Sequence, residues 1–392
     1  MMAGNRQWIQ VVPRLAPARC GVSDHAIALA AELRTGFGIG SAFVVPNEEA
    51  PWNPSFPVVQ CAPERLPEAC AASSEGRPAA ILVHLSGYGY SADGAPGQLA
   101  DALERMKAGG GFRIAVCFHE LHAGGMPWKS AFWLARRQKR VHRRIAQTCE
   151  LAVTSARVFA DWLRTQTDSP VECLPVFSPV GEARELVPFA EREQVLAVFG
   201  LAGTRQRVYP ALARMGSLLT RLGVREIVDI GPACETPRAV NGIPVRCAGE
   251  RTAAELDRQL TRTAFGGLAY SPNCLAKSGV FAAYTAHGVI PLLGQSFREE
   301  FDGLRDGVQL LSPRTALAIP ADSLANCSRA GRAWYAGHRL HNHAALYARW
   351  LDAANFHAIN FGAAEPLGER TGQRAGQAAL PVAEQTAERN DG

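Results

Sequence analysis

Short apolar runs alternating with longer stretches of helical period constrain this chain more than any other feature. Runs at 8–12, 41–45, 79–84, 113–118, 151–154 and 171–174 read as strands, and the segments 23–33, 98–107, 128–147 and 155–165 between them read as helices. Short strands alternating with helices of about ten residues or more form βαβ units around a parallel sheet. The rhythm then restarts, with strands expected at 195–199, 226–230, 265–270, 289–293 and 308–311 and helices at 207–222, 253–263 and 278–287.

Between the two series lies Ser178–Glu193 (SPVGEARELVPFAERE), whose Pro, Gly and charge mark a linker, with its boundary drawn at 181–193. The expected fold is therefore α/β, with two doubly wound, Rossmann-like domains at 1–180 and 194–330 facing across a cleft. A helical segment, 331–360, is expected to pack back on the domains. From 361 to 392 the hydrophobicity is too low to offset ordering entropy, which reads as a disordered tail. The length of 392 residues agrees with two to three units at ~150 residues each.

Composition excludes several classes. Hydrophobic residues at 47% and charged residues at 20% rule out wholesale disorder. No apolar run approaches the ~18 residues of a membrane span, and the opening segment is too interrupted for a signal peptide, so a cytoplasmic location is expected, with peripheral contact at the inner face of the membrane as its variant. Ten scattered cysteines without a CxxC pair read as reduced structural thiols. The net charge of +5 is too mild to imply nucleic acid. His338, His341 and His343 have a superficial metal spacing, but His343 faces elsewhere on a helix; no metal is expected.

In doubly wound folds the informative residues lie just after strands. After the first come Gly21, Val22, Ser23 and Asp24: Ser23 or Asp24 can cap the next helix, whose leading amides suit a phosphate or a sugar hydroxyl. The plain alternative is an ordinary capped turn. After 113–118 come His119 and Glu120, with Gly124 and Gly125 loosening the loop beyond. A histidine there can orient or deprotonate a hydroxyl, or simply be satisfied by backbone. His122 is recommended only by proximity.

Six basic residues lie between Arg136 and Arg144, with Arg136, Arg140, Arg143 and Arg144 near one helical face. That face can lie on an anionic leaflet or be merely solvated; nucleic acid is not expected, because no aromatic platform accompanies it. In the second half, Gly200 follows a strand, and a flexible Gly203 precedes Arg205 and Arg207 at a helix start, a place for a diphosphate. The loop is neither GxGxxG nor GxxxxGKS. The strongest stretch is Ala269–Leu293 (AYSPNCLAKSGVFAAYTAHGVIPLL). Its polar loop contains Asn273, and Lys277, Ser278 and Gly279 open a short helix ending at Gly288. A point charge, a hydroxyl and close backbone approach converge where a β-phosphate would sit.

Taken in order, the GVSDHA segment, FHE followed by MPW, VTSARVFADWL, LPVFSPVGE, the VFG…RQRVY loop and KSGVFAAYTAHGVIPLL resemble the GT-B glycosyltransferases, particularly the family of retaining bacterial mannosyl- and glucosyltransferases. The resemblance spans about residues 8–357. It implies transfer of a sugar from a nucleoside-diphosphate sugar to the hydroxyl of a glycan or lipid-linked acceptor, in polysaccharide or glycan assembly. It implies no cofactor besides the donor, and no metal. His119 with Glu120 would serve the acceptor and the transferred sugar, and the Gly21–Asp24 turn the acceptor or donor phosphates. Gly200, Arg205 or Arg207, Asn273, Lys277, Ser278 and Gly279 would hold the donor. One departure stands out: Leu275 and Ala283 occupy the positions of the family's paired glutamates. Two other functions fit the same scaffold. One is a sugar-nucleotide epimerase, with Glu120 as its acid; the other is a non-catalytic sugar-nucleotide-binding protein.

Overall fold

Seven strands build the first sheet: β1 (Gln7–Val11), β2 (Gly40–Val45), β3 (Val58–Gln60), β4 (Ala79–Leu85), β5 (Phe112–Phe118), β6 (Leu151–Thr154) and β7 (Val171–Cys173), in the order β3-β2-β1-β4-β5-β6-β7. The computed structural model describes residues 6–16, 20–47, 53, 55–75, 79–122 and 130–353, excepting the side chains of 130–133 and 217. The glycines expected at 124 and 125 and the tail at 361–392 lie outside the described residues. β1 pairs in parallel with both β2 and β4, so the chain winds outward in one direction and then in the other from β1. β4 (AAILVHL) is buried at every position, as a strand covered on both faces must be. The edge strand β3, three residues long and half-exposed, gave no readable apolar run.

The first unit comprises residues 1–153, 161–172 and 347 onward; the second comprises 154–160 and 173–346. The return of the chain to the first unit has a packing cause. Trp8, fully buried on β1, stacks on Trp350 at 5.3 Å and meets Tyr347 edge-on at 5.9 Å. Arg113 lies 3.9 Å over the Trp350 ring, and Arg6 donates to both carboxylate oxygens of Asp352.

The second unit carries β8 (Glu193–Phe199), β9 (Glu226–Ile230), β10 (Ala239–Val240), β11 (Ile243–Gly249), β12 (Thr263–Leu268) and β13 (Ile290–Leu293), ordered β10-β11-β9-β8-β12-β13. All adjoining pairs are parallel except the small antiparallel β10–β11 hairpin. β11 escaped the sequence reading because Pro244 interrupts it and most of it is exposed or half-exposed. The strand expected at 308–311 is not one. Gln309 turns back to bond the amide of Arg305 and the carbonyl of Gly303, and only an isolated bridge joins Leu311 to Leu292. The helix expected over 207–222 is two, Ala202–Arg214 and Ser217–Arg221, broken at Gly216 with φ +51°. The segment at 331–360 begins within the Leu324–Ala336 helix and continues as Leu340–Asp352.

A glycine pair in β12 sets how closely helices approach this sheet. A Cβ on Gly266 would lie 2.5 Å from the Tyr284 ring, and one on Gly267 would lie 2.8 Å from Val208. Tyr284, buried on the Gly279–Ala286 helix, crosses the strand to donate to the carbonyl of Ala197 at 2.8 Å. The bare backbone at Gly266 thus fixes the helix that Lys277 and Ser278 precede. No described helix is long and apolar enough to cross a membrane.

Candidate functional site

In the first unit a polar strip runs from Ser41, near the start of β2, through Gln10 to the carboxyl ends of β4 and β5. Gln10 on β1 donates through Nε2 to Ser41 Oγ at 3.0 Å, which turns its carbonyl oxygen toward His84 Nε2, 2.9 Å away. A carbonyl only accepts, so His84 carries its proton on Nε2. Burial, reinforced by the neighbouring His119, holds the His84 ring well below an ordinary imidazole, and it is therefore neutral. Its Nδ1 is then an acceptor, and His119 Nε2, 3.2 Å away, is the donor. The chain of bonds fixes the His119 tautomer with its lone pair on Nδ1.

His119 stands one residue past β5, its amide extending the ladder to the carbonyl of Leu85 at 2.9 Å. Ser86 donates to Glu120 Oε2 at 3.1 Å. His25, on the Gly21–Phe37 helix, presents its ring edge-on to His119 at 4.9 Å. Tyr90 donates to the carbonyls of Val11 and His84, tying the ends of β1 and β4 together. Sequence reasoning missed His84, His25 and Gln10. The readable signal was a histidine and a glutamine set inside otherwise apolar strands.

The Gly21–Asp24 turn differs in detail from expectation. The helix starts at Gly21 behind Cys20, and neither Ser23 nor Asp24 caps it. Ser23 is buried and donates to the carbonyl of Arg14, so it anchors the preceding loop, while Val22 is half-buried and Gly21 and Asp24 are exposed.

In the second unit two loops meet at the carboxyl ends of β8 and β12. Gly200, with φ +126°, ends β8, and a Cβ there would lie 3.6 Å from Val280 on the neighbouring helix. Ser278 N-caps that helix by accepting from the amide of Phe281 at 3.2 Å, so the amides of Gly279 and Val280 lead the helix. Gly279 packs on Pro179 with little room for a Cβ, which would lie 3.3 Å away. Lys277 is half-buried with its ammonium 5.4 Å from the Phe159 ring centroid, and Asn273 accepts from Ser271 at 2.7 Å. The Gly200 loop and the start of the Gly279–Ala286 helix thus meet at one sheet end, with Lys277 immediately before that helix in the chain, an arrangement suited to phosphate oxygens.

Arg205 is a correction to the expected donor set. Its guanidinium is buried, pairs with Asp229 and donates to the carbonyls of Gly200 and Pro232; Tyr209 donates to the other Asp229 oxygen. It braces the Gly200 loop from beneath and presents nothing outward. Arg207, by contrast, is exposed. Leu275 and Ala283, at the positions of the family's glutamates, are fully buried in the same apolar cluster. An open depression of about 540 Å³ on the outer side of the Ala202–Arg214 helix, lined by Gln206, Tyr209, Glu235 and Asn241, does not include Lys277.

The basic helix is Ser130–Thr148. Arg144 is bound by Glu104 and Asp101, Arg143 by Gln166, and Arg137 by Asp93, while Arg136 and Arg140 are exposed. Part of its charge is thereby neutralised within the unit. His338 and His343 are buried against the carbonyls of Val176 and Pro175, and His341 is exposed.

No family model and no curated protein sequence matches the chain. Solved structures do. An alpha-glucosyltransferase solved with UDP-glucose and DNA containing an abasic site superposes with a TM-score of 0.57 at 11% identity, over 89% of this chain and 98% of that one. The pneumococcal O-GlcNAc transferase GtfA, solved with UDP and GlcNAc, gives 0.56 at 8% identity, over 90% and 99%. A candidate UDP-N-acetylglucosamine 2-epimerase from Listeria monocytogenes gives 0.50 at 11%, over 93% and 100%. Two doubly wound parallel sheets in series, matched over nearly the full length of these proteins, show that the chain has the GT-B fold.

Proposed function

We propose that this chain binds a nucleoside-diphosphate sugar and transfers its sugar to an acceptor hydroxyl. The observation that carries the reading is the start of the Gly279–Ala286 helix beside the Gly200 loop at one end of the second sheet, with Lys277 directly preceding that helix. Breaking the glycosidic bond places negative charge on the departing diphosphate. A preorganised ammonium and oriented amides are worth most where such charge develops. Arg207 is the remaining cation for this role; Arg205 acts indirectly by holding Gly200.

On the first unit, His119 is assigned to the acceptor. Its tautomer leaves Nδ1 as the atom that accepts the hydroxyl proton, and Glu120, steadied by Ser86, lies next to it in the chain. Neighbours of this fold solved with UDP or UDP-glucose support a sugar nucleotide as ligand. Polysaccharide or glycan assembly is the setting we infer for it.

One observation favours a second reading. With Leu275 and Ala283 in the core, the paired acids of the resembled family are absent, as in a protein that binds a sugar nucleotide without turning it over. A panel of nucleotide sugars, with and without acceptors, separates the two. The transferase reading predicts nucleoside diphosphate release that Lys277→Ala and His119→Ala both abolish. Binding without release from any donor would leave the binding protein.

A further inference from the structure

Four side chains at the polar strip share a property that glycosyl transfer does not require. One ligand atom from each of His25, His84, Cys117 and His119 lies within 4.8 Å of the corresponding atom of every other. The arrangement follows from register. His84 and Cys117 are paired neighbours on β4 and β5, and His119 lies two residues beyond Cys117 on the same face. His25 comes from the Gly21–Phe37 helix. Two sheet strands and a helix therefore hold the set, and the donors are three imidazoles and one thiol.

We propose that His25, His84, Cys117 and His119 bind one divalent cation of the zinc class in tetrahedral coordination. Zinc takes nitrogen at ~2.0–2.1 Å and sulfur at ~2.3 Å, which places tetrahedral ligand atoms roughly 3.3–3.8 Å apart. The 3.2 Å between His84 Nδ1 and His119 Nε2 is already close to that range. The remaining pairs need to draw in by at most roughly 1–1.5 Å. Ligand softness points the same way, since imidazole with thiolate selects zinc over magnesium or calcium.

The supporting shell is also in place. A ligating histidine ordinarily donates its other ring N–H to an oxygen acceptor, which orients the ring. His84 does so to Gln10 Oε1, and Gln10 is itself held by Ser41. Without a cation, burial pushes the Cys117 thiol up to about 12, so coordination would displace a proton. The cation would take the Nε2 lone pair of His119 and leave the proton on Nδ1, so a loaded site and the acceptor role of His119 exclude each other. The proposal departs from the metal-free expectation drawn from the sequence, and it does not rest on the transfer reading, because its test uses no donor or acceptor.

The test is a Co²⁺ titration of the full chain after chelator treatment, followed by displacement with Zn²⁺. Expected are saturation at one equivalent, the intense visible bands of tetrahedral cobalt and a thiolate-to-cobalt charge-transfer band, all abolished by Zn²⁺. Cys117→Ser should remove the charge-transfer band while leaving weaker cobalt binding. Gln10→Leu, which removes only the outer-shell acceptor, should weaken zinc ~10–100-fold. Cobalt binding that does not saturate, the pale spectrum of octahedral cobalt, or a charge-transfer band surviving in Cys117→Ser would each overturn the proposal. The unmodified chain alone decides the first two outcomes, so a variant that fails to fold does not shield it.

Discussion

Arg205 and Asp229 form an ion pair whose side chains are only 1% and 3% exposed, placed under the Gly200 loop. Removing one partner strands a buried charge, whereas removing both does not. Arg205→Met or Asp229→Leu alone is expected to cost ~3–5 kcal/mol in urea unfolding. The double replacement should cost less than the sum of the two. Additive costs would mean that the pair is not coupled in the folded protein.

Gly266 and Tyr284 make a second test, because the bare strand sets the position of the helix that follows Lys277. Gly266→Ala places a methyl group where the tyrosine ring lies and is expected to cost ~1–3 kcal/mol. Nucleoside diphosphate affinity should fall with it at temperatures where the variant remains folded. Unchanged affinity would detach the helix position from ligand binding.

His142 gives the protein an acid sensitivity. Its ring is buried, neither nitrogen has a hydrogen-bond partner among the described residues, and burial with help from His122 lowers it to about 4. The unfolded chain takes up this proton near the ordinary value of ~6.5, while the folded chain resists until about pH 4. Between these values the unfolded state holds more protons, so stability is full above ~6.5 and falls on acidification by up to ~1.4 kcal/mol per pH unit. His142→Leu should lessen that slope, to which the buried His84, His338 and His343 also contribute, and gain on the parent protein as pH drops from 6.5 toward 4. Parallel pH profiles would contradict it.

Leu275 marks where sequence alone misleads. Aligned by motif order, it stands where the resembled family has a glutamate; in the fold it fills an apolar cluster with Phe281 and Tyr284. Leu275→Glu would bury a carboxylate within that apolar cluster, and a lowered melting temperature is expected instead of gained turnover.

The alternation of apolar runs with helical periods was enough to read two parallel sheets, because β1, β4, β5, β8 and β12 are largely buried strands of mostly apolar sequence. Strands at the edges were lost: β3 is three residues long and β11 contains Pro244. The position of Lys277, Ser278 and Gly279 at a helix start was legible from local chemistry. The fate of Arg205 was not, because its partner Asp229 arrives from β9, 24 residues further along the chain. The His25–His84–Cys117–His119 cluster was hidden for the same reason: no spacing along the chain reveals register between β4 and β5.

The account depends most directly on Lys277 gripping a diphosphate. Calorimetry with a panel of nucleoside diphosphates and the matching nucleosides, on the parent protein and Lys277→Ala, tests it. Loss of one charge-assisted contact predicts ~10–100-fold weaker binding of the preferred diphosphate, with little change for its nucleoside. Equal diphosphate affinity in the two proteins, or none for any diphosphate in the parent, would contradict the account.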